Sequence, residues 1–298
     1  MTAAAMRAPP GWAGLLALLA LLALLALLAL LALLALLALS ARAQPPSTHP
    51  SCDRSRWVIA IDPGHSAASP GATSARGRPE AAFNRALASV LLGQMRSAGF
   101  AQAHVRPETP ATESLAGRVA WAQQIQASLY LAIHHDSVQP RYLSRWTVDG
   151  QPHDYSDSFS GYSLFVSRKN GRPEASERLA RLLGTEFRQR CLRPTAHHAE
   201  AIAGEGREWV DATLGIYRFD DLIVLKTSVM PAVLIEAGVI VNRQDELRLQ
   251  SPALQALLAG AVVAAVRGYC EGAVAVAGPS VKACGDEAAA TAQLPPRH

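Results

Sequence analysis

The sequence has 298 residues, of which 50% are hydrophobic and 17% are charged, and its formal net charge is +4. This length is enough for one large domain or two small ones with a complete hydrophobic core. Two of the basic residues, Arg7 and Arg42, lie in an apolar N-terminal stretch, so the rest of the chain is nearly balanced and has no block of like charges. This pattern excludes a typical nucleic-acid-binding protein, and we expect no nucleic-acid partner.

The N-terminal stretch has the character of a leader. From Gly14 to Leu39 the sequence is almost only leucine and alanine, which is long enough to span a bilayer. The run ends in Ser40-Ala41-Arg42-Ala43, an A-x-A pattern that a signal peptidase would cleave after Ala43. A signal peptide over residues 1–43 is the favoured interpretation, and an uncleaved membrane anchor is the alternative because the run is long for a signal peptide. Both predict export, with membrane contact only through this segment.

Four cysteines follow the leader: Cys52, Cys191, Cys270 and Cys284. Their number is even and no C-x-x-C pair occurs, so zinc-ribbon spacing is absent. One or two disulfides in an oxidising compartment are the favoured interpretation, and reduced, buried cysteines are the alternative. Four cysteines allow three pairings, and the sequence does not choose among them; Cys270–Cys284 is the most local.

An apolar run that begins at Trp57 stops at Asp62-Pro63-Gly64, and His65 follows directly. Apolar β-branched residues favour a buried strand and Pro-Gly ends it, so His65 is predicted on a loop at the carboxyl end of a strand. Further strands are predicted at 102–106, 128–134, 162–167, 221–225 and 230–236, and helices at 80–99, 112–127, 173–190 and 252–269. This alternation indicates an α/β domain, a three-layer sandwich with a mostly parallel central sheet and helices on both faces.

The domain is predicted to cover residues 57–270, after an irregular linker at 44–56 and before a disordered tail at 271–298. Residues 137–160 are polar, show no clear period and contain His153, Asp154 and Asp157. They are predicted to form an irregular insertion near the functional site.

Polar residues with ligand or acid/base capacity follow three of the buried strands: His65, His134 (with His135 and Asp136) and Glu236. The carboxyl ends of neighbouring parallel strands meet at one edge, and the loop after His65 is long enough to bring Glu80 back there. Two imidazoles and one carboxylate form a catalytic-type zinc site, and a nearby carboxylate can take a proton from the attacking water. The pattern therefore predicts metal-assisted hydrolysis.

Each of these residues also has a structural interpretation. His65 could cap a turn, His134 could be a hydrogen-bonded core histidine, and Glu80 could be a favourable acid in the first turn of a helix. Glu236 is harder to explain in this way, because a buried carboxylate without a partner is costly. The joint placement of all four favours the functional interpretation.

The sequence resembles a known family in four motifs. They are Ile61-Asp-Pro-Gly-His65, Glu80, Ala132-Ile-His134-His-Asp136 and Pro231-Ala-Val-Leu-Ile-Glu236-Ala-Gly238. In order and spacing they resemble the zinc-dependent N-acetylmuramoyl-L-alanine amidases of family 3, the AmiC-like type, over roughly residues 57–270. Asn242, followed by Asp245-Glu246, resembles the segment after the glutamate, where the asparagine is expected to cap the last helix.

The resemblance implies one zinc ion per chain, with His65, Glu80 and His134 as ligands and Glu236 as the catalytic acid/base. It implies hydrolysis of the amide between the lactyl group of N-acetylmuramic acid and the L-alanine of the stem peptide. Peptidoglycan is then the substrate, an activator protein is a candidate partner, and the periplasm is the expected location. Alternatives are a zinc peptidase that acts on the stem peptide and a non-catalytic relative that binds the cell wall.

The chain departs from the family pattern at several positions. Ser66-Ala67 replaces the usual two glycines after the first histidine, and Ala132 replaces the usual serine. His135 is expected on the opposite strand face rather than as a ligand. A gating role for the insertion at 137–160 is the less favoured alternative to an ordinary surface loop. A further polar cluster, formed by His197, His198, Glu200 and Glu205, is interpreted as loop residues that border the cleft, since two adjacent histidines do not easily share a metal.

Overall fold

The computed structural model describes residues 12–42 and 52–273, and the chain divides into two units, residues 1–51 and 52–298. The helices are α1 Trp12–Arg42, α2 Glu80–Ser97, α3 Pro110–Glu113, α4 Leu115–Gln124, α5 Pro173–Gln189, α6 Ile223–Lys226, α7 Arg243–Leu249 and α8 Pro252–Cys270. The strands are β1 Ile59–Pro63, β2 Ala103–Val105, β3 Leu129–Asp136, β4 Ser144–Val148, β5 Gln151–Tyr155, β6 Ser163–Val166, β7 Trp209–Asp211, β8 Ile216–Arg218 and β9 Ala232–Val239.

Two described helices are long and apolar enough to cross a membrane by length and composition. One is the segment Gly14–Ala35 of α1, with a mean hydropathy of 3.1, and the other is α8, with a mean hydropathy of 1.5. Helix α8 belongs to the hydrophobic core of the second unit, where Val262 and Val266 are buried. Helix α8 thus passes this test of length and composition as a core helix, and the test indicates no membrane contact for it.

Seven strands form one sheet in the order β2-β1-β3-β9-β6-β8-β7. The neighbours β2, β1, β3 and β9 are all parallel, whereas β6 is antiparallel to β9, and β7 is antiparallel to β8. Because β1, β3 and β9 are adjacent and parallel, the loops that follow them lie at one edge. The predicted α/β fold with a mostly parallel sheet is confirmed.

The two faces of the sheet carry separate hydrophobic clusters, which gives the three predicted layers. On one face Ile61, Leu131 and Ile235 pack with α2, α5 and α8. On the other face Tyr130 and Leu234 pack with residues of α4 and α6. Side chains alternate between the two faces along a strand, so His134 lies on the same face as Tyr130, and Glu236 on the same face as Leu234.

Two predicted elements differ from the structure. The helix expected over 112–127 is divided into α3 and α4 at Ser114, because the backbone of this residue is extended. The Ser114 side chain caps α4 by accepting a hydrogen bond from the Gly117 N–H. The strand expected at 221–225 is the short helix α6, because a brief apolar run does not distinguish the two states.

The irregular insertion expected at 137–160 contains the antiparallel hairpin β4–β5. Its turn is Asp149-Gly150, both with positive φ, which is the standard two-residue connection for such a hairpin. The hairpin packs against the loop that joins His65 to Glu80: the Trp146 indole donates to the Ala75 carbonyl at 2.8 Å, and a Cβ on Gly77 would lie 2.6 Å from the His153 ring. The Arg243 guanidinium lies over the Tyr155 ring.

Cys52 and Cys270 form a disulfide that joins the start of the domain to the end of α8, with a sequence separation of 218. Cys270 is therefore bonded to Cys52 and not to its most local candidate, Cys284. Cys191 is also disulfide-bonded. The bonding supports the oxidising compartment predicted from the cysteine count. Most of the predicted linker and tail, at 43–51 and 274–298, lies outside the described residues.

Candidate metal centre

His65 lies directly after β1 in the left-handed backbone region, with φ of 65°. Its carbonyl oxygen accepts hydrogen bonds from Arg106 Nη2 at 3.1 Å and from Arg118 Nη2 at 3.0 Å. Both guanidinium groups also donate to the Pro63 carbonyl, at 2.8 and 3.3 Å. These bonds hold the unusual backbone conformation of His65 in place.

A buried carboxylate balances the two arginines. Asp62, 1% exposed, accepts hydrogen bonds from Arg106 Nε and from the Tyr130 hydroxyl, and Arg118 Nη1 lies 3.4 Å away. Buried charges require such pairing, so these four side chains form one unit beneath His65. Sequence reasoning missed the arginines, although Arg118 sits within the apolar stripe of α4, which is an unusual place for a solvated charge.

Glu80 is the first residue of α2, and the loop after β1 returns it to the sheet edge. Its Oε2 lies 2.9 Å from His65 Nε2, and its Oε1 lies 3.0 Å from His134 Nδ1. The Ala72 N–H also donates to Oε2 at 3.2 Å. The structure therefore brings His65, Glu80 and His134 together, with one ligand atom of each within 4.8 Å of the others.

The electrostatics of Glu80 suit a ligand. Burial raises the pKa of its carboxyl, but the hydrogen bonds and positive charge supplied by His134 and His65 outweigh burial and place the pKa well below its ordinary value. The carboxylate is therefore ionised and available as an oxygen donor at neutral pH.

Asn84, one turn along α2, connects the parts of the centre. Its Nδ2 donates to Glu80 Oε1 and to the Gly64 carbonyl, both at 3.0 Å, and its Oδ1 accepts from His135 Nδ1 at 2.7 Å. Burial lowers the pKa of His135 to about 3, so this imidazole is neutral. His135 thus lies on the opposite strand face from His134, as expected. Asn84 was missed, and its place four residues after Glu80 was the available signal.

Glu236 faces His134 across the β3–β9 pair. Its Oε2 is shielded from solvent and has no hydrogen-bond partner among the described residues. Burial raises the pKa of the Glu236 carboxyl well above its ordinary value, and the negative charges of Asp136 and Glu80 raise it further. Such a carboxyl holds its proton more readily than an exposed glutamate does.

A cavity of about 220 Å³ opens beside these groups. Both His134 and Glu236 line it, together with His198, Glu205 and apolar side chains that include Phe165. Glu236 is thus placed where a bound molecule would meet His134. No residue of the hairpin β4–β5 lines this cavity.

Two glycines lie so close to the proposed ligand side chains that any larger residue would collide with them. A Cβ on Gly64 would lie 2.2 Å from the His134 ring, and one on Gly71 would lie 2.5 Å from Glu80 Oε2. Gly71 also has a φ of +79°, which favours glycine. Two imidazole nitrogens, from His65 and His134, and one carboxylate oxygen, from Glu80, are the donor set of a catalytic zinc site. The residues present therefore fit a zinc ion.

Ser66, the main departure from the family pattern, is buried and closes the loop after His65. Its hydroxyl donates to Glu113 Oε1 at 2.6 Å and accepts from the Ser69 N–H at 3.1 Å.

Ala132 is buried in the core on the α4 side of the sheet. Asn242 caps α7 by accepting from the N–H groups of Gln244 and Asp245, so the helix that it caps is the one before the last.

A second cluster joins the end of β3 to the segment before β7. His198 Nε2 lies 2.7 Å from Asp136 Oδ2, and His197 Nε2 lies 3.3 Å from the same oxygen. His198 borders the cavity as interpreted, whereas Glu200 accepts a hydrogen bond from the Tyr142 hydroxyl at 2.9 Å. A short 3₁₀ turn at His197–Ala199 places the two adjacent histidines so that both rings reach Asp136.

Comparisons with known proteins agree with this geometry. The family model described as N-acetylmuramoyl-L-alanine amidase matches residues 59–268. No curated protein sequence matches significantly. Among solved structures, the catalytic domain of CwlV, an N-acetylmuramoyl-L-alanine amidase from Bacillus (Paenibacillus) polymyxa var. colistinus, is 22% identical with a TM-score of 0.52, covering 72% of this chain and 97% of that one.

Two further structures are similar to the same extent. Ami1, an N-acetylmuramyl-L-alanine amidase from Mycobacterium smegmatis, is 17% identical with a TM-score of 0.53, covering 72% of this chain and 97% of that one. The CwlD amidase from Clostridioides difficile, solved in complex with the GerS lipoprotein, is 19% identical with a TM-score of 0.52, covering 72% and 98%. At these identities the likeness shows a shared fold. The family match covers most of the chain, and the chain therefore belongs to the N-acetylmuramoyl-L-alanine amidases of family 3, enzymes that act on peptidoglycan.

Proposed function

We propose that the chain is a zinc-dependent, exported amidase that cleaves the bond between N-acetylmuramic acid and the L-alanine of the stem peptide. The observation that carries this proposal is the placement of Glu80 between His65 and His134, with nitrogen–oxygen distances of 2.9 and 3.0 Å, beside the unpartnered Glu236 carboxyl. Residues 57–270 form the proposed catalytic domain, and residues 1–43 the proposed leader.

His65, Glu80 and His134 would hold the zinc. When bound, zinc supplies a Lewis acid that polarises the scissile carbonyl and makes water more acidic. Asn84 keeps the Glu80 carboxylate in place through its 3.0 Å hydrogen bond, and Arg106 and Arg118 keep the His65 backbone in place. The chain thus fixes its ligands before substrate arrives, which removes the cost of ordering them during the reaction.

Glu236 is the proposed acid/base. Its carboxylate would take a proton from the attacking water, and the same carboxyl would then give that proton to the departing amine of L-alanine. The raised pKa supports the second role, because the group can remain protonated until the amine leaves. The position of Glu236 in the wall of the cavity, next to His134, supports both roles.

Export is supported by the apolar helix α1 and by the disulfide between Cys52 and Cys270. Peptidoglycan lies outside the cytoplasmic membrane, so an exported enzyme reaches it, and we place the protein in the periplasm. The CwlD amidase was solved with a lipoprotein bound. An activator protein is accordingly a proposed partner for this chain, although no described contact identifies its surface.

Mass spectrometry of muropeptides incubated with the zinc-loaded protein tests the proposed reaction. Release of intact stem peptides, beginning with L-alanine, is the expected result. Shortened stems would instead assign a zinc peptidase acting within the peptide. Binding to peptidoglycan without any product would assign a non-catalytic relative. The Glu236→Gln variant, incubated in parallel, controls for a contaminating hydrolase.

A further inference from the structure

A second set of potential ligands lies beside the first, formed by Asp136, His197 and His198. We propose that these three residues bind a second transition-metal ion of the zinc class, at a site distinct from His65, Glu80 and His134. One ligand atom of each residue lies within 4.8 Å of the others. Neither the proposed amidase reaction nor the fold requires this site, and it stands on its own observations.

The arrangement repeats that of the first centre. There, one carboxylate lies between two imidazole nitrogens at 2.9 and 3.0 Å. Here, Asp136 Oδ2 lies between the Nε2 atoms of His198 and His197, at 2.7 and 3.3 Å. Two imidazoles and one carboxylate suit zinc and its neighbours in the first transition row, whereas Ca²⁺ and Mg²⁺ prefer oxygen ligands alone.

The far side of each imidazole has its own partner. His198 Nδ1 lies 3.0 Å from Glu205 Oε2, and His197 Nδ1 lies 2.9 Å from the Thr195 hydroxyl. Histidines that bind metals are typically oriented in this way, with the other ring nitrogen hydrogen-bonded to a carboxylate or another oxygen. A metal ion bound at Nε2 of each ring would replace the proton that this nitrogen otherwise shares with Asp136.

His197 provides the independent observation. The residue is 1% exposed, and its Nε2 is assigned no hydrogen bond among the described residues, with Asp136 Oδ2 in ion-pair contact at 3.3 Å. A buried ring nitrogen without a partner costs on the order of 1–3 kcal/mol. A metal ion between the two histidines and Asp136 would satisfy this atom.

The two centres face the same cavity. His134 and Asp136 both come from the end of β3, and the cavity of about 220 Å³ is lined by His134, His198 and Glu236. A second ion at this site would raise the expected metal content from one to two per chain.

Metal stoichiometry tests the proposal on the whole protein. After saturation with Zn²⁺ and exhaustive dialysis, we expect two equivalents in the wild type, one in His198→Ala and Asp136→Asn, and one in His65→Ala. The double variant His65→Ala/His198→Ala should hold none. The control His104→Ala removes a histidine of the edge strand β2 and should keep two.

The outcomes separate the two sites. One equivalent in the wild type that disappears in His65→Ala overturns the second site and leaves the first intact. Two equivalents that survive His198→Ala also overturn it, since the second ion is then held elsewhere. If His65→Ala retains one equivalent of Zn²⁺ and the double variant retains none, the second site is supported, whatever the enzymatic activity of these variants is.

A measurement on the unaltered protein guards against a variant that does not fold. Anomalous X-ray scattering at the zinc edge from crystals of the wild type should give two peaks. We expect one peak bounded by Asp136, His197 and His198. A peak only among His65, Glu80 and His134 would refute the second site, and so would a second peak on the protein surface.

Discussion

The Arg118 guanidinium donates to the backbone carbonyl of His65 across 3.0 Å, from helix α4 to the loop after β1. This bond connects a residue that touches no substrate to the conformation of a proposed zinc ligand. Together with Arg106 and Asp62 it forms the buried unit beneath the first centre. The position of His65 thus depends on helix packing as well as on its own loop.

Arg118→Met should keep the apolar stem of this side chain and remove its hydrogen bonds. We expect zinc affinity to fall about 10-fold, as is typical when a group that orients a ligand is removed. Stability should fall by about 1–3 kcal/mol, because buried carbonyl groups lose a donor. Competition with a chelator of known affinity and denaturant unfolding measure the two effects. Arg85→Met, which removes an exposed ion pair with Glu108, is the matched control and should change neither.

Glu236→Gln should remove the proposed acid/base while preserving shape. We expect kcat to fall by a factor of about 10²–10⁴, which is the usual contribution of a proton-transfer group, and zinc to remain bound. Turnover within a few-fold of wild type would refute the role. Glu208→Gln is a suitable control because this carboxylate is 61% exposed on the surface.

Chelation should abolish activity, and added Zn²⁺ should restore it. His134→Ala should lose the ion of the first centre, because only two ligands remain, and its activity should not return with added Zn²⁺. Atomic emission measurements on the dialysed protein follow the metal directly. Full retention of that ion in His134→Ala would contradict the ligand assignment.

Gly64→Ala should disturb the centre without removing any ligand. Its Cβ would lie 2.2 Å from the His134 ring, so the imidazole must move, and we expect both zinc affinity and activity to fall. Gly93→Ala, in α2, is the matched control, because nothing lies within 4 Å of its added Cβ. That variant should be fully active and more stable by about 1 kcal/mol. Equal behaviour of the two variants would exclude close packing around His134.

The double variant Cys52→Ser/Cys270→Ser should lose stability and keep its chemistry. Removal of a native disulfide typically costs about 2–5 kcal/mol. Cys52 precedes the amino end of β1, whereas His65 follows its carboxyl end and His134 lies near the carboxyl end of β3, so kcat below the unfolding temperature should be unchanged. Thermal unfolding under oxidising conditions, with an activity assay, measures both quantities. A large loss of kcat in folded protein would show that the disulfide also shapes the site.

Local sequence was enough to place His65 directly after a strand, because an apolar run with a Pro-Gly stop is determined within a few residues. The strands expected to end at His134 and Glu236 continue to Asp136 and Val239, so these two side chains project from within β3 and β9. The length of the loop after His65 allowed Glu80 to return to the same edge, as the structure shows. The same local information contained the Asp149-Gly150 turn of the hairpin, which sequence reasoning overlooked. Helix α6 was not distinguishable from a strand, because a run of only a few apolar residues fits both periods.

The sequence by itself therefore determined the elements of this protein, their polar ends and the chemistry that those ends can perform. Only the tertiary structure decided that β1, β3 and β9 are neighbours, and that Arg118 reaches His65. It alone brought His197 and His198 to Asp136. The physical reason is that strand order and contacts between distant residues depend on how whole faces pack, and no short stretch of sequence contains that information.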